Sequence, residues 1–196
     1  MDTDTQKILF SAEKPATSHC FSLAKRSLLA AEIQMERIWG PVIKSSDDPL
    51  LPYEIKLIDI HFYFVALRNL YRYLNKIMSD PVYSHLKADL EILNDKWFRH
   101  YSKGREAFEH IDQKFPGEKH EDKIVEIEEK GARRKVHYGL SMKNGVFTHS
   151  DKSWDISKKS FAVFKDSVAQ FIQKIVGSSN KKLNTDGSAI APPPVS

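Results

Sequence analysis

The chain carries a single cysteine, Cys20. That excludes an intramolecular disulfide and any zinc site built on paired cysteines, and it suits a reducing compartment. Long apolar runs are also missing: no stretch approaches the ~20 residues that a membrane span needs. The opening MDTDTQKILFSAEK is acidic and lacks the basic-then-apolar order of a secretory signal. The expectation is a cytoplasmic protein with no membrane association. Charge of one sign is scarce as well. Thirty Lys and Arg face 26 Asp and Glu, leaving a net charge of +4 and a pI near 9.0. A nucleic-acid partner is permitted by this balance and not demanded by it.

What is present is helical pattern. Hydrophobic content of 41% and charged content of 29% suit one globular domain with a sizeable core. The periodicity predicts a mainly α fold: an up-and-down bundle of four to five helices with a small antiparallel β-hairpin insertion before the last helix. The expected organisation is an N-terminal arm over residues 1–16, a single helical domain over 17–177 with the hairpin at about 124–150, and a disordered tail over 178–196.

The first helix is expected from Ser18 to Trp39, ahead of Gly40-Pro41. The second runs from Tyr53 to Met78 with apolar residues on nearly every side, the mark of a helix with neighbours on several faces. Arg68 and Arg72 are unusual there. They either snorkel to the surface or form a buried ion pair with Asp59 or a glutamate. Residues 83–115 read as one long helix or as two with a break at Asn94-Asp95. After Pro116-Gly117 the period shortens, and Asn144-Gly145 is the strongest hairpin signal. Ser150 to Ser153 reads as a loop. The last helix is expected from Ser157 to Val176, closed by Gly177.

The chemistry-bearing stretch is Asp95 to Phe115. Trp97, Tyr101, Phe108, Ile111 and Phe115 define one apolar face, with Gly104 in the gap, where a glycine suits close helix packing. Around that face lie Arg105, Glu106, Glu109, His110 and Asp112. Histidine exchanges a proton near neutral pH and arginine grips a phosphate through two parallel hydrogen bonds, so Arg105 and His110 form a candidate catalytic pair for RNA. Five residues apart, they project about 140° from each other on an ideal helix. A site using both is easier where two copies of the helix meet. Ordinary i,i+4 surface pairing of Arg105 with Glu109 and of Glu106 with His110 accounts for the same residues. A metal site from Glu106, Glu109, His110 and Asp112 lacks a matching pair on a second helix. No metal or other cofactor is expected. Arg133, Arg134 and Lys135 form a small basic cluster able to touch a phosphate backbone.

The segment Arg105-Glu106-Ala107-Phe108-Glu109-His110 fits an arginine, four to six residues, then a histidine. This resembles the HEPN superfamily of helical-bundle proteins. The resemblance implies a homodimer with a composite, metal-independent endoribonuclease site. In it Arg105 and His110 would be catalytic, with Glu106, Glu109 and Asp112 supporting. It also implies RNA as substrate and a cognate antitoxin or other protein as partner. Active members commonly carry Asn, Asp or His after the arginine; this chain has Glu106. The alternative is a non-catalytic helical interaction or oligomerisation protein with the same fold.

Overall fold

The computed structural model of the chain describes residues 15–41, 51–109, 124–129, 132–137, 140–149 and 152–186. The fold is mainly helical, with a small three-stranded antiparallel sheet ahead of the last helix. Helix α1 (Pro15–Trp39) and helix α2 (Leu51–Ile77) form a hairpin. Both carry proline in the first turn, where N–H groups have no intrahelical acceptor and a fixed φ is already helical. The start at Pro15 takes two residues from the expected arm.

Two polar anchors set the antiparallel register. Thr17 Oγ1 donates to Asp80 Oδ2 at 2.9 Å. At the far end, Arg37 Nε meets Asp59 Oδ1 at 3.0 Å. Ile33 therefore lies level with Tyr63. The Asp59 side chain is only 3% exposed and Arg37 is 57% exposed, so the pair compensates a carboxylate taken out of water. Its partner comes from α1 rather than from Arg68 or Arg72 of its own helix. Residues nine apart on a helix project to opposite sides, so Arg68 cannot turn back to Asp59.

The next helical stretch is a composite. A 3₁₀ turn (Ser84–Leu86) leads into α3 (Lys87–Leu93), a π turn (Asn94–Phe98) and α4 (Arg99–Glu109). The sequence leaves one helix or two open over 83–115; over the described part, the backbone stays helical and absorbs an extra residue at Asn94-Asp95. That residue shifts the phase. Phe98 becomes fully buried and Trp97 half-buried, while Leu86, Leu90 and Leu93 before them and Tyr101 and Gly104 after them stay on the core side.

Strands β1 (Ile124–Glu129) and β2 (Ala132–His137) form one hairpin. Strands β3 (Leu140–Lys143), β4 (Val146–His149) and β5 (Lys152–Asp155) form the sheet. Asn144 and Gly145 link β3 to β4 with φ of 52° and 82°, the positive pair a type I′ turn requires. The expected loop through Ser153 is instead the start of β5. Phe147 and Trp154 stand opposite each other in the register and are both buried, and that burial recruits the third strand.

Helix α5 (Lys158–Asp186) opens on a cap: Ser157 Oγ accepts from the Ser160 N–H at 3.1 Å. Phe161, Phe164, Val168, Phe171 and Ile175 line its buried face. It does not end at Gly177. A helix-ending glycine takes positive φ, and Gly177 does not. A Cβ there would meet nothing within 4 Å, so no packing demand acts on it either. The helix continues to Asp186, into the expected tail. Among the described residues no helix is long and apolar enough to cross a membrane.

Candidate functional site

Helix α4 carries the described part of the motif, and its position is fixed by contacts around Gly104. A Cβ at Gly104 would lie 2.7 Å from the far end of the Phe64 ring. The expected close packing is therefore present: only a bare backbone lets α2 and α4 meet here. A second fixing point is the indole of Trp154, whose Nε1 donates to the His100 carbonyl at 2.9 Å. Its counterpart across the molecule is Trp39, whose Nε1 donates to the Ile156 carbonyl at 2.8 Å. Through these two indoles the sheet is tied to α4, and the segment leading into α5 is tied to α1.

Aromatic rings fill the space between. Phe108 stacks on Phe147 at 5.0 Å, and Phe147 on Trp154 at 5.8 Å. His61 of α2 meets Phe108 edge-on at 5.5 Å. The His61 ring is half-buried against these aromatic edges. Deeper in, Tyr63 and Tyr101 cross at 5.9 Å and both are fully buried. Their hydroxyls influence each other but find no hydrogen-bond geometry among the described residues. Burial pushes the Tyr63 hydroxyl well above its usual pKa, with Tyr101 and Asp155 adding to the effect. Burial also raises Tyr101, against partial lowering by the Tyr63 and Ser160 hydroxyls. His100 is shifted down, first by partial desolvation and then by Lys103.

Arg105 lies half-buried at the edge of this core and Glu106 points into solvent. That split matches the helical projection from sequence, with the arginine on the border of the apolar face. Glu109 is the last described residue of α4, and its side chain is not among those described. His110 and Asp112 lie outside the described residues. The basic cluster Arg133, Arg134 and Lys135 sits in β2, where the register sets Arg133 opposite Glu128 and Lys135 opposite Glu126. Arg134 stands opposite Ile127. No group of three or more His, Cys, Asp or Glu able to hold a metal ion occurs among the described residues.

A cavity of about 520 Å³ lies elsewhere, between the end of α1 and the start of α2, beside Ile33, Ile55 and Asp59. Sequence reading does not reveal it. Its charged groups are engaged: Glu32 with Lys165, Glu36 with Lys158, Arg37 with Asp59, and Lys56 Nζ with the Ile38 carbonyl. Comparison with known proteins adds no assignment: no family model, no curated protein and no solved structure matches this chain.

Proposed function

We infer that the chain is an RNA-directed, HEPN-like protein whose Arg105 and His110 form a metal-independent endoribonuclease site completed by a second copy. The observation carrying this reading is the setting of Arg105. It projects from the edge of a helix locked to the core by the Gly104–Phe64 contact and by the Trp154–His100 bond. A guanidinium on so rigid a support is preorganised for a phosphate, and preorganisation is where electrostatic catalysis gains most.

The chemistry balances with these two groups. His110 takes the proton of a 2′-hydroxyl, the 2′-oxygen attacks phosphorus, and the 5′-oxygen leaves and is protonated. Arg105 neutralises charge on the phosphoryl oxygens. The products are a 2′,3′-cyclic phosphate end and a 5′-hydroxyl end. The test is purified protein with mixed RNA in EDTA. Cleavage is expected, with a fall of at least about 100-fold in both Arg105→Ala and His110→Ala. Wild-type protein that leaves RNA intact, or a His110→Ala variant as active as wild type, removes the enzyme.

A second reading is favoured by the uncovered apolar surface on the outside of the α1–α2 hairpin. It is a non-catalytic module that uses the bundle to bind a protein, either its own copy or an antitoxin-like partner. This reading predicts association without RNA cleavage.

A further inference from the structure

Arg68 does not partner Asp59, whose carboxylate pairs with Arg37 of α1. It is nevertheless half-buried near the middle of α2. Three contacts fix how α2 lies on the composite helix that ends in α4: Tyr71 on Phe98 at 5.2 Å, Phe64 against Gly104, and His61 on Phe108 at 5.5 Å. One number falls as the other rises, so the two run antiparallel. In that register Arg105 is level with Tyr63 and Phe64. His61 lies about 4 Å from that level along the axis, and Arg68 about 7 Å from it in the opposite direction.

The seam between α2 and α4 has two edges, and one of them is filled. There Tyr63 meets Phe161 of α5 at 5.8 Å, and the His100 ring meets Trp154 of the sheet at 6.1 Å. On α2, Tyr63 turns about 100° from Phe64 toward that edge, while Arg68 and His61 turn about 40° and 60° the other way. On α4, His100 turns about 40° from Gly104 toward the filled edge, and Arg105 turns about 100° the other way. Arg105, Arg68 and His61 therefore share the second edge, away from α5 and the sheet, and all three are half-buried. Arg72, exposed one turn after Arg68, continues the line. The described carboxylates along this seam are engaged: Glu91 by Tyr71 and Asn94, and Asp95 by Arg99. Glu106, about 200° round from Gly104, projects away from it.

We propose that this edge is a phosphate-binding groove for single-stranded RNA, with Arg68 as its second guanidinium, holding the backbone beside the phosphate that Arg105 grips. Both arginines belong to one protomer. Their axial offset exceeds the span of a single phosphate, so the pair suits neighbouring phosphates of one strand. Guanidinium is the fitting group, because its planar fork gives two parallel hydrogen bonds to a phosphate where an ammonium acts as a point charge. The groove rests on the RNA-directed reading of the chain and not on its being catalytic.

The experiment is fluorescence anisotropy of the full chain with a dye-tagged 2′-O-methyl oligoribonucleotide of about 12 nucleotides. The methyl group blocks attack by the 2′-oxygen, so binding is read apart from cleavage. Arg68→Gln should keep the wild-type circular dichroism and melting curve and weaken binding at least about tenfold. The slope of log affinity against log salt should shrink by about 0.7, the share of one phosphate contact on a single strand. Arg68→Lys should recover part of the affinity and Arg72→Gln should lose several-fold. Lys159→Gln, exposed on α5, should match wild type. A wild-type chain that does not bind, an Arg68→Gln chain that binds normally, or an equal loss in Lys159→Gln each overturns the proposal. So does adenosine monophosphate that displaces the strand at equal concentration, which reassigns the groove to a free nucleotide. Cleavage of mixed RNA in EDTA by the same variants separates the two ideas. Arg68-dependent binding by a chain that leaves RNA intact removes the ribonuclease and keeps the groove. Cleavage that Arg68→Gln leaves unchanged removes the groove alone.

Discussion

Phe62 and Phe64 stand two residues apart on α2 and lead opposite lives. Phe64 is fully buried, against Gly104 and in ring contact with Tyr101, Phe108, Phe147 and Trp154. Phe62 is 52% exposed, and its only ring contact among the described residues is with His61. The inner face of α2 is a jigsaw in which each ring is held by several others. The outer face carries two large apolar residues, Ile58 and Phe62, that stay about half exposed among the described residues. Hydrophobicity alone does not separate core from contact surface; what separates them is whether another element of the chain arrives to cover the residue.

That contrast can be broken experimentally, and the largest effect should come from its buried half. Phe64→Ala removes a ring at the meeting point of α2, α4 and the sheet, and should cost about 3–5 kcal/mol by denaturant unfolding. Phe62→Ala should stay within about 0.5 kcal/mol. Equal losses at the two positions would erase the distinction. Gly104→Ala is next in size. The added methyl group enters the space of the Phe64 ring, and overpacking of this kind costs about 1–3 kcal/mol, partly offset by the better helix propensity of alanine. A stabilised variant would show that the ring gives way freely.

The smallest effect at neutral pH concerns Tyr63 and Tyr101, whose buried hydroxyls have no partner among the described residues. Their folded pKa values lie above the unfolded 10.0. The stability they contribute is therefore complete below pH 10.0 and is lost as pH rises through the folded values, because the unfolded chain releases those protons first. Wild-type protein should lose stability above pH 10, and Tyr63→Phe should soften that loss. At pH 7 the same change should be neutral or slightly stabilising, since it deletes an unsatisfied hydroxyl.

Much of this architecture is legible in the sequence, for physical reasons that differ by element. Helices α1 and α2 announce themselves by a 3.6-residue apolar period, and the β3–β4 turn by Asn144-Gly145, because few residue pairs accept two positive φ angles. Gly104 is legible as a close contact since a mid-helix glycine carries a cost that packing must offset. Strand β5 is not. Its four residues show no alternation, and it exists because Trp154 finds Phe147 and the His100 carbonyl, partners distant in sequence. The end of α5 is misjudged for the opposite reason: Gly177 is a local signal that acts only when its φ turns positive. At the candidate site, the border position of Arg105 and the exposure of Glu106 follow from helical projection alone. The exposed stripe on α2 is visible in sequence only as surplus apolarity, which reads as extra neighbours within the chain.

The π turn at Asn94–Phe98 gives the chain a reading frame in space. One residue too many for an α-helix is stored there, upstream of Tyr101, Gly104 and Arg105. Deleting a single residue inside it would restore regular geometry and rotate everything downstream by about 100°. Gly104 would leave Phe64, and a bulkier neighbour would arrive in its place. Arg105 would swing away from the edge it now occupies. The helix would survive such a deletion and its address on the bundle would not, so length in this short segment is under a stricter constraint than composition.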